Sequence, residues 1–465
     1  MSACLGVTRA LCNTCGRLVD AKLLEREGRV FLVKWCEQHQ QTEALVCGDV
    51  DWYRRSLAYV KPAAEPLSRA VATYRGCPGS CGLCPQHEQH TCVPIVEITG
   101  ACDLACPICL VGDRSDGPLP VARVREIVDR LVEREGTIHM LTLSGGEPCT
   151  HPDLLAVVDA VRRPEVGLVS LSTNGLRLET DDALLEGLCQ RQVVISLQFD
   201  GFEPATHEAL RGQPGLAARK ERLLARLLAR GARLSLTMTL ARGVNEHEVP
   251  RVLDRLLGHE SIVSLMVQPL AYVGRAWQRA DLSDRLTIPE VVELLAAGSR
   301  GRLERSDFTP LPRSHPSCFC LTYLLSTADG GVVPVPRILP EDVYLELIKN
   351  QALLNTDAAS LERARDALYE LWSSSGMVPD RGAVLAALKR LLLELNRLGR
   401  GASSAEVIEV GVRNVKSIFI HQFMDRYTFD LSRAIKCCNH YPQPDGRFLP
   451  ACVRNVGLAG PLAAG

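Results

Sequence analysis

Residues 93–268 alternate six times between short apolar segments and longer segments with helical periodicity. The expected strands are residues 93–99, 138–143, 167–172, 193–199, 232–240 and 262–268. Apolar strands joined by helices are typical of a parallel sheet covered by helices, so we expect an α/β fold. The pattern leaves open whether the six units form a partial (β/α)6 barrel or an open doubly wound sheet. In both folds, ligands bind at the carboxyl ends of the strands.

The chain is divided by composition into four regions, which we predict to be domains. They are a Cys/His metal ribbon at 1–60, a cysteine-dense segment at 61–92, the strand–helix core at 93–300, and a helix-rich, cysteine-containing region at 301–465. The last region includes helical patterns at 358–372 and 380–398.

Charge and hydropathy exclude several classes of protein. The 53 Lys and Arg residues are balanced by 54 Asp and Glu residues, which argues against a nucleic-acid-binding surface. Residues 1–10 lack the apolar core of a signal peptide, and no run of 18 apolar residues predicts a transmembrane segment. We therefore expect a cytoplasmic protein. Its 19 cysteines would stay reduced there, and clustered reduced thiols typically bind metal.

Three cysteines follow the first expected strand: Cys102, Cys106 and Cys109. Three thiolates on one loop can hold three irons of a [4Fe-4S] cluster and leave the fourth iron open to a ligand. A zinc knuckle, or a cluster closed by a distant cysteine, is the alternative. The second strand is followed by Gly145-Gly146-Glu147, where glycines allow close approach of the backbone and the carboxylate could pair with an ammonium group.

A second metal site is indicated near the amino terminus. Cys12 and Cys15 are followed by Cys36 and His39, a spacing that fits one tetrahedral zinc or iron ion. The residues between the two pairs suit a β-hairpin with Gly28 at its turn. The absence of a basic helix disfavours a DNA-binding finger.

Nine further thiols lie in or near clusters, and their number would close two more [4Fe-4S] clusters with one thiol left over. They are Cys77, Cys81, Cys84, Cys92, Cys318, Cys320, Cys437, Cys438 and Cys452. The partition between clusters cannot be deduced from spacing. Isolated cysteines are expected to pack as small apolar residues, namely Cys4, Cys47, Cys149 and Cys189. The histidines beside the clusters are expected to donate hydrogen bonds rather than to ligate: His87, His90, His421 and His440.

The three-cysteine loop together with Gly-Gly-Glu-Pro resembles the radical S-adenosylmethionine (SAM) superfamily. The resemblance implies a partial (β/α)6 barrel, a [4Fe-4S] cluster on Cys102, Cys106 and Cys109, and SAM chelated to the open iron. It implies a SAM cradle that comprises Gly145, Gly146, Glu147, Ile108, Asn174, Ser196 and Gln198. Thr173 and Gly175 fit the same cradle, whereas Thr239 and Gln268 are weaker candidates, since polar side chains there could equally be strand-end hydrogen bonders.

Longer cysteine-containing stretches resemble a narrower group, the class D radical SAM methyltransferases. The stretches begin at Cys12, Cys77 and Cys437, and the resemblance extends from residue 12 to about residue 455. The group includes the archaeal tetraether lipid synthase and a pterin dimethyltransferase. It implies one SAM cluster, two auxiliary clusters and one mononuclear site. Two residues of the catalytic loop depart from the usual pattern, Asp103 and Leu110.

Three functions remain open at this point. The first is functionalisation of an sp3 carbon, by methylation of a pterin-like molecule or by coupling of lipid chains. The second is modification of a peptide or natural product by a radical enzyme with auxiliary clusters. The third is a non-catalytic electron carrier, for which a complete strand–helix core would be superfluous. Either enzyme would need a flavodoxin, ferredoxin or reductase as electron donor, and a lipid substrate would place it at the membrane surface.

Overall fold

The computed structural model describes residues 3–458 except for 61–63, 70, 73–75, 80, 113–115, 280–284, 313, 349–361, 363–365, 367–380 and 399–403. Within this part of the chain, no helix is both long enough and apolar enough to cross a membrane.

The amino-terminal region is an antiparallel ribbon of four strands, paired in sequence order and followed by one helix. The elements are β1 (Ala3–Leu11), β2 (Leu18–Arg26), β3 (Arg29–Cys36), β4 (Gln40–Cys47) and α1 (Val50–Ala58). Glu27 and Gly28 connect β2 to β3 with φ angles of 52° and 73°. Two consecutive residues with positive φ form the tight turn that suits twisted hairpin strands, which confirms the predicted hairpin.

The central region contains six parallel strands in sequence order. They are β5 (Val93–Thr99), β6 (Ile138–Gly145), β7 (Val166–Thr173), β8 (Val194–Gln198), β9 (Leu234–Leu240) and β10 (Ile262–Pro269). The helices are α2 (Val121–Glu135), α3 (Leu154–Val161), α4 (Asp182–Gln190), α5 (Pro204–Arg211), α6 (Leu216–Ala229), α7 (Val249–Gly258) and α8 (Ile288–Gly298). The six predicted strand–helix units are confirmed.

The two faces of each central strand carry different side chains. In β6, Leu141 and Leu143 pack into the main core with apolar residues of α2, whereas Met140, Thr142 and Ser144 line an internal cavity. Alternate residues of a strand point to opposite faces, so an apolar helix-facing side can coexist with a mixed inner side. The core lies between sheet and helices, and the cavity lies on the other face.

The carboxyl-terminal region adds strands to both edges of this sheet. Its strands are β11 (Thr309–Pro310), β12 (Phe319–Ser326), β13 (Val332–Pro334), β14 (Val415–His421), β15 (Asn439–Pro442) and β16 (Phe448–Pro450). Its helices are α9 (Glu341–Ile348), α10 (Arg381–Leu398), α11 (Ser404–Asn414), α12 (Leu431–Ala434) and α13 (Ala451–Asn455). The expected helix at 380–398 is present as α10, while the pattern at 358–372 lies largely outside the described residues. Apolar and aromatic runs such as β12 form strands here because both of their faces are buried.

The resulting sheet has two free ends rather than a closed circuit of the described strands. Its order is β11-β12-β14-β10-β9-β8-β7-β6-β5-β15-β16, with β13 paired to β12. Strands from β5 to β14 line one internal cavity, so the sheet curves around it. This arrangement is the partial barrel, and not a flat doubly wound sheet.

Candidate active site

The loop after β5 places its three cysteine thiols at the cavity wall. Cys102 is exposed, and Cys106 and Cys109 are half-buried. The loop is held by backbone hydrogen bonds, from Cys109 N to Cys106 O (3.2 Å) and from Arg275 N to Cys109 O (3.1 Å). Thiols that face a cavity can reach a cluster without disruption of the apolar core, so the loop fits the [4Fe-4S] cluster that the sequence predicted.

The glycines after β6 allow the end of this strand to touch the cysteine loop. A Cβ atom on Gly145 would lie 2.1 Å from Thr99 O, and one on Gly146 would lie 2.3 Å from Ala101 O. Gly146 N donates to Thr99 O at 2.8 Å in the space so created. Any other residue would push this turn away from the loop, so both glycines are needed for the close approach.

Glu147 connects the ends of two neighbouring strands. Its buried carboxylate accepts hydrogen bonds from Cys149 N (2.9 Å), Thr173 Oγ1 (2.6 Å) and Asn174 N (2.6 Å). Desolvation raises the pKa of Glu147, and the three donors partly oppose that shift. The carboxylate is therefore engaged in fixing the turn, and its pairing with an ammonium group of SAM stays a prediction.

Asn174 links the end of β7 to the cysteine loop. Its Nδ2 atom donates to Asp103 Oδ1 at 2.6 Å, and its Oδ1 atom accepts from Leu176 N at 2.9 Å. Asp103 is one of the two residues that depart from the usual loop pattern. As a carboxylate it can only accept, so the amide of Asn174 meets it as a donor.

The other expected cradle residues also line the cavity. Ser196 Oγ and Thr237 Oγ1 are hydrogen-bonded at 3.0 Å, and Gln198 donates to Asp200. Ile108 packs with Leu210 in a small apolar group beside the cysteine loop. Thr173, Thr239 and Gln268 face the same space. The structure thus brings the predicted set together, whereas their contacts with SAM stay a prediction.

Three charged residues at the same end of the barrel were missed by the sequence reasoning: Asp200 and Lys220 are buried, and Arg211 is largely buried. Arg211 forms a two-point ion pair with Asp200 (Nε–Oδ2 2.7 Å, Nη2–Oδ1 2.9 Å) and donates to Thr239 Oγ1 (2.9 Å). Lys220 is fully buried and donates to Gln198 O (2.8 Å), Gln198 Oε1 (2.9 Å) and Asn174 O. Lys220 interrupts the apolar face of α6, which is the signal that could have revealed it.

The amino-terminal cysteines form a compact ligand set. The sulfur and nitrogen atoms of Cys12, Cys15, Cys36 and His39 all lie within 4.8 Å of one another. The Cys15–Cys36 sulfur distance is 4.0 Å, close to the roughly 3.8 Å expected for two thiolates on one tetrahedral zinc. A hydrogen bond from Arg17 lowers the pKa of Cys15 to about 6, which favours the thiolate that a metal binds.

Eight other thiols fall into groups whose members interact with one another. Cys77, Cys81 and Cys84 interact with one another. Cys318, Cys437 and Cys452 form a second group, and Cys438 interacts both with that group and with Cys92. Burial raises the pKa of the Cys437 thiol, so an isolated thiolate there would be costly without a metal or a cation.

Arg433 supplies such a cation. It is buried, it donates to Gln422 O, and it interacts electrostatically with Cys318 and Cys452, while its Nε atom has no hydrogen-bond partner in the described part of the chain. A buried guanidinium among thiols suits an anionic iron–sulfur cluster. Cys320, in contrast, belongs to the main apolar core with Leu324 and is not grouped with other thiols.

Two of the four histidines near these thiols, His87 and His90, make the hydrogen bonds that were expected of them. His87 Nε2 lies 2.8 Å from Cys437 O, and His90 Nε2 lies 3.4 Å from Cys92 Sγ. His440 contacts His87, and His421 packs between aromatic rings. Three of the four isolated cysteines pack in or against the main core: Cys47, Cys149 and Cys189.

The chain is similar in sequence to several known proteins and domain families. Residues 96–256 match the model of the radical SAM superfamily, and residues 4–48 match the HMPTM N-terminal zinc ribbon domain. The 7,8-dihydro-6-hydroxymethylpterin dimethyltransferase of Methanocaldococcus jannaschii is 25% identical over 97% of this chain and 93% of its own. The mycofactocin maturase MftC of Mycobacterium ulcerans is 34% identical over 34% of this chain and 43% of its own. Streptococcus suis SuiB bound to the precursor peptide SuiA aligns over 45% of each chain with a TM-score of 0.38 and 15% identity.

The radical SAM match spans the strands that bear the three-cysteine loop, the Gly-Gly-Glu-Pro turn and Asn174. These are the residues that converge on the cavity. The chain therefore contains a radical SAM domain at residues 96–256 and a zinc ribbon domain at residues 4–48.

Proposed function

We propose that this enzyme methylates an sp3 carbon of a small molecule related to a pterin. The observation that carries the proposal is the cavity of about 430 Å³, which runs from the cysteine loop into the barrel and is bounded at its far end by α11. A ring-sized acceptor would fit this space beside SAM. The similarity to a pterin dimethyltransferase over nearly the whole chain also supports methylation of a small acceptor.

The [4Fe-4S] cluster and SAM would supply a 5′-deoxyadenosyl radical when one electron arrives from a flavodoxin or ferredoxin. Cys102, Cys106 and Cys109 would hold the cluster, and the turn at Gly145 and Gly146 would hold SAM. The chain's part is to fix these groups at one end of the cavity and to exclude water from the reacting carbon.

The remaining thiols favour two auxiliary clusters. Eight of them fall into adjacent groups, and the buried Arg433 offsets negative charge in one group. We infer that Cys320 is the thiol left over, because it packs in the apolar core. The ribbon site would hold one zinc or iron ion through Cys12, Cys15, Cys36 and His39.

Coupling of lipid chains is the second candidate. The apolar side chains of α11 that reach the cavity, among them Val407 and Ile408, favour it. The cavity ends against this helix, however, where Ile408 Cδ1 lies close to Gly167. A long alkyl chain would need α11 to move, so the geometry favours the small acceptor.

The test is an assay of the anaerobically reconstituted full chain with SAM, a one-electron reductant and 7,8-dihydro-6-hydroxymethylpterin. We expect 5′-deoxyadenosine and a methylated pterin, measured by mass spectrometry. Deuterated SAM shows whether SAM or another one-carbon carrier is the methyl donor. Formation of 5′-deoxyadenosine without methylation of any small acceptor, together with turnover of an alkyl lipid, would favour coupling instead.

A further inference from the structure

The residues that line the cavity change in polarity from the carboxyl ends of the strands to the end closed by α11. The three cysteines and Glu147 lie at the carboxyl ends of the strands, and apolar residues of α11 lie at the far end. Between these two zones the strands present serine hydroxyls. Serine is not favoured in strands on propensity alone, so its repetition on one face calls for a physical reason.

Five serines occupy the same register position on five neighbouring strands. Ser172 pairs with Ser196, Ser196 with Ser235, Ser235 with Ser264, and Ser264 with Ser417. Residues in register on adjacent parallel strands point to the same face of the sheet, and all five line the cavity. We call this set the serine row.

The serine row is only partly satisfied by the protein. Ser264 Oγ donates to Ser235 Oγ at 2.6 Å, and Ser196 bonds to Thr237. Ser417 (8% exposed) and Ser170, one step below the row (5% exposed), make no side-chain hydrogen bond to any described residue. Buried hydroxyls nearly always have a partner. Both line the cavity, so their partner is to be sought there.

None of the described residues that line the cavity beside the serine row carries a formal charge. Among the described residues that line the cavity, the charged side chains are Glu147 and Arg211, both at the carboxyl ends of the strands. Each is already engaged, Glu147 by three hydrogen bonds and Arg211 by Asp200. His421 is neutral, since burial lowers its pKa to about 3.

We propose that Ser235, Ser264 and Ser417 of the serine row bind the polar edge of the substrate, and that the substrate is an uncharged, hydrogen-bonding ring. The proposal rests on the proposed function for the reaction itself. A hydroxyl both donates and accepts, so the row can meet the nitrogens, amino groups and carbonyl oxygens of a heterocycle. A phosphate would be desolvated there without a free cation, and an alkyl chain would leave the hydroxyls unpaired.

The experiment measures equilibrium binding to the reconstituted, SAM-loaded full chain. The probes are 7,8-dihydro-6-hydroxymethylpterin, guanine, the diphosphate ester of the same pterin, and dodecanol. We expect an uncharged ring to bind at least about 10-fold more tightly than the ester or the alcohol. Ser264→Ala and Ser417→Ala should each weaken binding of that ring roughly 2- to 10-fold.

Thr322→Val is the matched control. Thr322 is fully buried on β12, its Oγ1 atom has no hydrogen-bond partner among the described residues, and it does not line the cavity. Its substitution should leave binding of the probes unchanged. Formation of 5′-deoxyadenosine from SAM without a probe should be the same in Thr322→Val as in the unaltered enzyme.

The outcomes separate this proposal from the proposed function. Tighter binding of the ester or of dodecanol, unchanged binding in both serine variants, or binding of neither ring would overturn the assignment of the serine row. Absence of 5′-deoxyadenosine in the unaltered enzyme would instead overturn the reaction on which it rests.

Discussion

At the scale of single residues, the role of a cysteine in this chain depends on the surroundings of its sulfur. Cys102, Cys106 and Cys109 face a cavity, whereas Cys149 is buried against Thr173 with its thiol 3.3 Å from the hydroxyl. Burial raises the pKa of Cys149 far above its ordinary value, so it stays a neutral thiol. The spacing of the three loop cysteines identified them from the sequence. The isolation of Cys149 in the sequence correctly indicated that it packs as an apolar residue.

Replacement of Cys106 by alanine removes one ligand of the catalytic cluster. We expect Cys106→Ala to abolish formation of 5′-deoxyadenosine, because SAM can no longer be held on a complete cluster, while most of the auxiliary iron remains bound. Chromatography of the nucleoside products and iron analysis measure the two effects. Cys189→Ala, at a half-buried cysteine of α4, is the control and should keep activity. Persistent cleavage of SAM in Cys106→Ala would assign the catalytic cluster to other ligands.

Lys220 is a positioning residue, since it acts on the cradle through Asn174 and Gln198. Lys220→Met leaves their carbonyl oxygens buried without a donor, so we expect the free energy of unfolding to fall by about 2–4 kcal/mol. The Kd for SAM should rise roughly 10-fold, because the ends of β7 and β8 shift.

Lys416→Met is the matched control for Lys220. Lys416 is also buried and donates to two backbone carbonyls, His259 O (2.6 Å) and Ile262 O (2.7 Å), but it lies at the opposite end of the strands. Both variants should lose stability in a denaturant titration, and only Lys220→Met should lose affinity for SAM. Equal loss of SAM affinity in the two variants would contradict the positioning role and show that Lys220 contributes only to stability.

At the scale of elements, the amino-terminal ribbon packs against the core through the loop that holds Cys12 and Cys15. Lys34, on β3, donates from Nζ to Leu11 O (2.9 Å) and to Tyr427 O (2.6 Å). Arg426 Nη2 donates to Thr14 O at 3.1 Å, within the loop that holds Cys12 and Cys15. The loop that holds Cys12 and Cys15 therefore contacts the segment that leads to the cysteines near residue 437.

Loss of the ribbon metal should loosen this docking. We expect Cys36→Ser to lower the metal content by about one equivalent and the thermal midpoint by roughly 5 °C or more, because a structural metal contributes directly to folding. Anaerobic calorimetry and elemental analysis measure these changes. Cys4→Ser, at an exposed cysteine of the same ribbon, should change neither. A full metal complement in Cys36→Ser would show that the ion lies elsewhere.

At the scale of the whole molecule, the two edges of the sheet bring distant cysteines together. β15 pairs with β5, so Cys438 and Cys92 become neighbours, and Cys92 N donates to Cys438 O at 2.9 Å. At the other edge, β12 pairs with β14 and carries Cys320 into the core. Thiols separated by more than two hundred residues thus meet only after the sheet has formed.

Two cysteines only two residues apart should therefore behave differently. We expect Cys318→Ala to lower the iron content of the reconstituted protein by about four atoms per chain, through loss of one auxiliary cluster. Cys320→Ala should retain the full complement, with only a modest loss of stability from the missing core volume. Iron analysis and electron paramagnetic resonance of the reduced proteins distinguish the two. Loss of iron in Cys320→Ala would reverse our assignment of the leftover thiol.

The sequence by itself determined the local parts of this protein. Each of these parts is specified by a short segment of sequence, because periodicity, turn geometry and ligand spacing are local properties. They are the six strand–helix units, the ribbon hairpin, the three-cysteine loop and the Gly-Gly-Glu-Pro turn. The strand–helix units predict a parallel sheet, and the three-cysteine loop and the Gly-Gly-Glu-Pro turn were therefore expected at the carboxyl ends of its strands.

Tertiary structure alone decided what lies far apart in the chain. Lys220 and Arg211 belong to helices and reach the cradle only through packing, and the strands β12, β14 and β15 extend the sheet from its two edges. The serine row exists only in the register of five strands, since no serine carries information about its neighbours on other strands. Register and long-range contact are properties of the assembled sheet, and for that reason the sequence named the reaction class while the fold gave the shape and charge of the space for its substrate.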